Sequence, residues 1–492
     1  MTQPRTAPYG TWASPLTAAR IVVSNIGLGG VAWGGDRLCW LESRPTEGGR
    51  TVLVERTAAG PEIDITPAGF NIRTRVHEYG GGALLLTEAA VYFVNFADQR
   101  LYRQRFGEAP EALSAEGPYR YADLVLDRGR DRLLCVCEDH SQPGAEPTNT
   151  LVSIDLATGT RQTLVSGSDF YSSPRLSPEG KHLAWLSWNH PQMPWDGTQL
   201  WVARLEADGS LGPAVCLAGG EQESICAPTW SPEGWLYFVS DRSNWWNLYR
   251  ANDLTGKTEA SEPLFPLAAE FAFPHWVFGL QPYLFESPNS ILCTYSQNGQ
   301  TYLARLDIAA KHLQPFELPF TSISSLSLRD GQAYFVGGSP TEPTRLVQMD
   351  LDTLAITTLK WASDLALEPG YLSQPQAIAF PTADGQTAYA WFYPPQNQDF
   401  QAPPDERPPL IVRSHGGPTA AAAATLNLRY QYWTSRGFAL LDVNYGGSTG
   451  YGRAYRQRLQ GQWGVVDVAD CVQGARYLVE QGWVDGERLA IA

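Results

Sequence analysis

The sequence predicts two architectures in succession: a seven-bladed β-propeller over residues 22–362, then an α/β domain with a mostly parallel sheet over residues 372–492. Three observations predict this. A strand-bearing motif recurs at an offset of 54 residues, with looser copies elsewhere. Aromatic residues make up 12% of the chain, with frequent Gly and Pro. After residue 409 the pattern changes from strand–turn–strand to alternating strand and helix. A polar arm, residues 1–21, precedes the first repeat.

The repeat is clearest as S-P-R-L-S-P-E-G at 173–180 and A-P-T-W-S-P-E-G at 227–234, an offset of 54 (227 − 173). An aromatic-rich strand follows each copy, at 182–188 and 235–240, and a further strand follows that, at 199–205 and 247–250. Strand, polar turn, strand, loop and outer strand make one propeller blade, and a blade buries its apolar faces only against its neighbours. Looser copies over 37–42, 83–103, 121–156, 283–306 and 326–351 bring the number of blades to seven. Ring closure leaves few exposed edges, which suits many short aromatic strands. Composition agrees: 12% aromatic residues, with 46 Gly and 36 Pro, favours short strands joined by tight turns.

Residues 363–374 have linker character. A hairpin follows, 377–381 against 388–393, turning at Asp384-Gly385 and ending at Pro394-Pro395. Beyond a polar, Pro-rich loop at 396–409, strands at 410–414, 438–443 and 488–492 alternate with helices at 426–436, 453–460 and 465–481. Such alternation builds a mostly parallel sheet covered by helices on both faces.

Bulk properties narrow the function classes. A chain of 492 residues exceeds one core, and 43% hydrophobic with 18% charged residues describes a globular protein. The net charge of -15 argues against a nucleic-acid or anionic-membrane partner. No apolar run reaches membrane-spanning length, and residues 1–12 lack the apolar core of a secretory signal. The seven cysteines are scattered, and nothing near Cys135 and Cys137 completes a metal set. Reduced, buried cysteines and a cytoplasmic location are expected, with no metal or organic cofactor.

Chemistry concentrates after residue 410. An apolar strand runs into His415-Gly416-Gly417-Pro418, and glycines directly after a strand let backbone N–H groups approach a developing oxyanion. A second strand runs into Asn444-Tyr445-Gly446-Gly447-Ser448-Thr449-Gly450-Tyr451-Gly452. Here Gly446–Gly450 fits G-x-S-x-G, the nucleophile elbow of α/β-hydrolases. The turn is too long for an elbow, however, and lies only one strand after the H-G-G-P strand. Ser448 is therefore read as a supporting-loop residue, which His415 would meet only by leaving its own loop. Asp467 and Asp470 read as helix-capping or structural pairs. The polar, glycine-dense stretch 73–82 reads first as a blade-to-blade hydrogen-bond network. Its alternative role is to bind a peptide terminus through Arg75 or Glu78. No Walker loop, dinucleotide fingerprint or zinc-protease motif occurs.

H-G-G-P, N-Y-x-G-S-T-G-Y-G, W-G-V-V-D-V-x-D and R-L-A-I, in this order, resemble the prolyl oligopeptidase family of serine peptidases. The similarity is greatest to its acylaminoacyl-peptidase and dipeptidyl-aminopeptidase branch. The resemblance spans nearly the whole chain and implies a TolB/WD40-like propeller capping an α/β-hydrolase domain, with oligopeptides as substrates and oligomeric state left open. It implies oxyanion binding by Gly417, with Gly416 and His415 forming its loop, and loop support from Asn444, Tyr445, Ser448 and Tyr451. Many relatives have Arg where this chain has Gly446, so any role of that arginine is not carried over. In the family the strand matching Arg488 to Ala492 leads into the G-x-S-x-G-G elbow, and the triad Asp and His come later. The catalytic Ser, Asp and His are therefore all expected beyond Ala492, and none can be assigned to a residue of this chain. The hydrolase domain is expected to lack its C-terminal half, and the chain alone to be inactive. The rival expectation is a non-enzymatic propeller binding module carrying a remnant hydrolase platform.

Overall fold

The computed structural model describes residues 3–21, 25–57, 60–256, 261–365 and 367–492. Within them, seven four-stranded antiparallel sheets follow one another in chain order, from Gly27–Gly34 in blade 1 to Ile356–Trp361 in blade 7. They form a seven-bladed β-propeller; residue 22, its expected first residue, lies outside the described residues. The repeated S-P and A-P pairs fall in the innermost strands Phe170–Leu176 and Ile225–Trp230. There Ser173 (φ 53°) and Ala227 (φ 49°) occupy left-handed backbone at a register shift, as do Asp123 (φ 57°) and Ser325 (φ 54°) in their own blades. A bulge at the same place re-aims each inner strand toward the axis. The bulges also join neighbours: Ser173 N donates to Asp123 Oδ2 (2.7 Å), and Tyr283 OH to Ala227 O (2.8 Å).

Among the described residues no strand is exchanged to close the ring. Blades 1 and 7 share one apolar cluster, in which Val31, Trp40 and Val54 pack with Tyr334, Val336 and Leu346. Polar links such as Lys360 Nζ to Glu62 Oε2 (2.5 Å) lie outside it. The axis is filled. Blades 2 and 6 stand on opposite sides of a seven-membered ring, yet the segments entering them meet: Phe278 N donates to Gly80 O (2.9 Å), and Gly81 bridges to Phe278. The turn at 73–82 and the loop at 271–282 thus cross the centre. The His77 ring packs against Phe170, Trp188 and Phe278. A cavity beside Ser173, Ala227 and His275 measures about 10 Å³, room for roughly one water.

The second sheet has five strands in the order Gln376–Pro381, Thr387–Tyr393, Ala439–Asn444, Leu410–Ser414, Leu489–Ile491. The last three run parallel to one another, and the hairpin is antiparallel. The final strand, expected over Arg488 to Ala492, is shorter by a residue at each end. Arg488 is drawn into the preceding turn, where its Nε donates to Asp485 Oδ2 (2.6 Å). Ala492 lies just past the strand but still donates its N–H to Val412 O (3.1 Å), so the ladder with the H-G-G-P strand runs up to it.

Period-two alternation sorts the side chains of this sheet. Ala390, Phe392 and Leu441 face the core under the helix Val466–Glu480, whereas Trp391, Tyr393 and Leu440 face the opposite core with Tyr430 of the helix Leu428–Thr434. Helices therefore cover both faces. The N-terminal arm, described from residue 3, is built into this domain. Arg5–Thr6 pairs in parallel with Phe400–Gln401, Trp12 and Leu16 are buried, and Asn397 Nδ2 donates to Ala13 O (2.9 Å). The helix at 466–480 leaves Val468 and Val472 exposed, and Ile491 on the edge strand is 70% exposed.

A buried polar seam joins the two domains. Asp241, after a blade 5 strand, accepts from Arg453 Nη1 and Arg456 Nη2, both at 2.6 Å. Asn244 receives the N–H groups of Arg453 (2.6 Å) and Ala454 (2.8 Å). Glu270 receives those of Trp246 (2.7 Å) and Gly452 (3.1 Å). The Arg456 guanidinium also lies 4.2 Å from the Trp246 ring centre.

Candidate active site

The strand Leu410–Ser414 is flanked on both sides by parallel strands, so the residues after it leave the sheet at its carboxyl end, where open α/β sheets bind ligands. His415-Gly416-Gly417-Pro418 emerges there. Gly417 has φ 134°, and a Cβ on it would stand 3.0 Å from Thr419 N and 3.2 Å from the Ala420 Cβ, so the position demands glycine. Among the described residues neither the Gly416 nor the Gly417 N–H finds an acceptor. Two unpartnered backbone donors at a sheet's carboxyl end are what an oxyanion needs.

His415 ties this loop to the next. Its ring stacks on Tyr445 (4.6 Å, 15°), and Tyr445 OH donates to His415 O (3.1 Å). Nδ1 lies 2.9 Å from Gly416 O and Nε2 2.7 Å from Ser448 Oγ. A carbonyl only accepts, so in the neutral ring Nδ1 carries the proton and Nε2 accepts from the Ser448 hydroxyl. Burial holds the His415 pKa below its ordinary value. The expectation that His415 could meet Ser448 only by leaving its loop is therefore overturned: strands 410–414 and 439–444 are adjacent, which brings the two turns together. The contact is that of a nucleophile and its base, but Ser448 has 0% exposure, and a backbone carbonyl stands where a triad places a carboxylate.

The remaining loop residues lock to one another. Asn444 accepts from Ala422 N (2.8 Å) and donates to Tyr451 OH (3.1 Å), and Tyr451 stacks on Tyr389 at 4.2 Å. Gly446 N donates to Asp470 Oδ2 (2.7 Å), which gives Asp470 a structural partner. A Cβ on Gly446 would stand 2.8 Å from Val466 Cγ1 and 3.1 Å from Arg458 Cδ, so Arg458 fills the space beside it. The strand that ends before Ala492 is the third to reach this carboxyl end, next to the H-G-G-P strand on the side away from Ser448.

Across from the loop lies the turn at 73–82. Glu78 is exposed and pairs with Arg120 (2.9 Å), whose Nη1 also donates to Arg75 O (3.2 Å). The Arg75 guanidinium sits over the Phe96 ring, 4.6 Å from its centre. Arg75 and Glu78 are thus joined through Arg120 and stand apart from the H-G-G-P loop. The direct contact with that loop was not foreseen: Trp276 Nε1 donates to Thr419 O (2.6 Å), and the Trp276 ring packs on Trp195 (4.3 Å) and Tyr79 (5.0 Å). No spacing pattern marks Trp276, because it acts from an irregular loop between blades. Among the described residues no cluster of metal-ligating side chains occurs, and no helix is long and apolar enough to cross a membrane. All seven cysteines are free, and six are buried.

Residues 424–492 match the prolyl oligopeptidase family, Peptidase_S9. A crystal structure of puromycin hydrolase is 37% identical and aligns with a TM-score of 0.91, over 99% of this chain and 76% of that one. The chain belongs to the prolyl oligopeptidase family. A second family structure, a puromycin-hydrolyzing peptidase of Mycobacterium tuberculosis, is 38% identical with a TM-score of 0.92 over the same shares. Dipeptidyl-peptidase 5 of Schizosaccharomyces pombe is 24% identical over 370 residues, 74% of this chain and 45% of that protein. The chain thus spans less than half the length of that curated relative. The family match takes in the loop at 444–452 and the helix after it and runs to Ala492, while the H-G-G-P loop lies just before its first residue.

Proposed function

We propose that this chain supplies the propeller and the oxyanion-binding part of an α/β-hydrolase domain of a serine peptidase acting on short peptides, of the aminopeptidase or acylaminoacyl-peptidase kind. The observation that carries this reading is the pair of unpartnered N–H groups on Gly416 and Gly417 in a chain of this family. Attack on a peptide carbonyl converts it to a tetrahedral adduct with a negative oxygen, which the Gly417 N–H holds. His415 keeps its place in the loop, braced by Ser448 and Tyr445, and does not act as the base. Asn444 and Tyr451 hold the second loop in register with the first. The catalytic Ser, His and Asp, expected beyond Ala492, are assigned to no residue of 1–492, so this polypeptide alone does not turn over substrate. The filled propeller axis supports entry between the domains, which admits short peptides and turns away folded proteins. Glu78, linked through Arg120 to Arg75, offers a carboxylate for a peptide's amino terminus.

The test compares polypeptide 1–492 with the product of the complete reading frame that encodes it. Substrates are aminoacyl- and acylaminoacyl-nitroanilides, and a fluorophosphonate probe reports on any reactive serine. The complete product is expected to turn over and to be labelled outside 1–492, and Gly417→Val in it to lower kcat by roughly 10²–10³ with the fold retained. Stoichiometric labelling of a serine within 1–492, or near-full kcat in the folded Gly417→Val variant, would overturn the assignment. Peptide binding without turnover by the complete product would favour the propeller as a binding module.

A further inference from the structure

The turn at 73–82 is built at unusual conformational cost. His77 (φ 52°) and Glu78 (φ 63°) are consecutive non-glycine residues in left-handed backbone, and Gly80, Gly81 and Gly82 follow in the same region. Such residues persist only where the surroundings over-determine them. Here His77 N is held by Glu138 Oε1 (2.6 Å), and Gly80 is pressed so closely on Thr74 that a Cβ would come 2.3 Å from its carbonyl oxygen. The turn thereby presents Tyr79, which is 64% exposed, in a fixed position. The strained backbone packs His77 among Phe170, Trp188 and Phe278, and beside it leaves Tyr79 open to solvent, where it gains little for folding.

What Tyr79 does touch is Trp276, with ring centres 5.0 Å apart at 67°. The far edge of the Trp276 indole donates to Thr419 O (2.6 Å). Thr419 is two residues beyond Gly417, at most about 7 Å of chain. An aromatic pair, open to solvent at Tyr79 and hydrogen-bonded to the oxyanion loop through Trp276, thus approaches that loop from the propeller side. Resting on the peptidase reading above, we propose that Tyr79 and Trp276 form a subsite for a bulky apolar or aromatic side chain of the peptide substrate, on the propeller side of the oxyanion loop. The Trp276 hydrogen bond to Thr419 couples that subsite to the oxyanion loop. The propeller would then contribute selectivity, with the axis-filling turn as its support.

Binding measured without turnover tests this separately from the peptidase reading. Polypeptide 1–492, labelled with 5-fluorotryptophan, is titrated with phenylalanyl-alanyl-alanine amide and with trialanine amide. The Trp276 resonance is assigned by its loss in Trp276→Phe. The phenylalanyl peptide is expected to bind saturably, shift that resonance, and bind about tenfold more tightly than trialanine amide. Tyr79→Ala should abolish the difference and Tyr79→Phe retain it. Because Tyr79 is exposed, both variants should fold, which the unchanged remaining tryptophan resonances verify. No saturable binding of the phenylalanyl peptide, equal affinity for both peptides, or an unchanged preference in Tyr79→Ala would overturn the subsite. Failure of the complete reading frame to hydrolyse any peptide would overturn the peptidase reading and leave a positive binding result intact.

Discussion

Replacing Asp241 with Leu should unlatch the two domains. The carboxylate is 1% exposed and accepts from Arg453 Nη1 (2.6 Å), Arg456 Nη2 (2.6 Å) and Ser224 N (2.7 Å). Its removal strands two guanidiniums, of which that of Arg456 is only 3% exposed. Breaking a buried pair from one side costs about 3–5 kcal/mol, mainly because the remaining charge is left desolvated. Roughly a thousandfold increase in the population with an open seam follows, since about 1.4 kcal/mol is a factor of ten. Trypsin reads this directly, because Arg453 and Arg456 are themselves cleavage sites and are shielded while the seam is shut. Cleavage after both should accelerate strongly in Asp241→Leu. Asp241→Asn, which keeps the shape and the Ser224 contact, should fall between the variant and the parent. In a double-mutant cycle with Arg456→Met, the second change should restore much of the loss, giving a coupling of about 1–3 kcal/mol. An Asp241→Leu protein that resists trypsin like the parent, or a cycle with no coupling, would refute the view that this ion pair holds the domains together.

Other outcomes follow from the same geometry. Ser448→Ala in polypeptide 1–492 should cost about 1–3 kcal/mol, because His415 Nε2 loses its buried donor. In the complete product it should leave fluorophosphonate labelling intact, and loss of labelling in a folded protein would make Ser448 the nucleophile. The propeller should lose stability on acidification. Burial pushes the pKa of His77 down to about 3 and that of His275 to about 4 from 6.5, so their contribution is complete above pH 6.5 and is lost as pH falls toward 4. Each adds up to about 1.4 kcal/mol per pH unit in that window, and denaturant melts at pH 7 and pH 5 should differ accordingly. A His77→Phe, His275→Phe protein whose melts show the parent's pH dependence would contradict this. Finally, Val468→Lys with Val472→Lys should change stability by no more than about 0.5 kcal/mol while reducing self-association in light scattering, because both valines are exposed on one helix. A large destabilisation would mean that face is packed in solution.

Much of the propeller was legible because its signals are local and repeated. The S-P-x-x-S-P-E-G copies mark an inner strand, a bulge and a turn, and the aromatic run 182–188 coincides with the strand His182–Trp188. The outermost strands escaped notice. Glu62–Asp64, Glu111–Ala112 and Ser261–Pro263 are short and have no fully buried residue, so they carry no alternation to read. The strands and glycines of the second domain were legible for the same local reason: the alternation of strand and helix, and a Gly-Gly directly after an apolar strand. What only tertiary structure decided is which distant loops touch. Two parallel strands brought His415 and Ser448 within hydrogen-bond distance, although sequence order set them 33 residues apart. Ring closure carried Gly81 to Phe278 across the axis, domain docking placed Trp276 on Thr419 and Asp241 on two arginines, and Arg5–Thr6 joined a strand almost 400 residues later. These contacts depend on backbone donors and single side chains meeting in three dimensions, and neither leaves a period or a spacing in the chain. The sequence by itself therefore determined the inner strands of the blades, the number of blades and the glycine turn after the Leu410–Ser414 strand. The folded arrangement decided which side chains those elements bring together, because burial and hydrogen bonding act on distance in space and not along the chain.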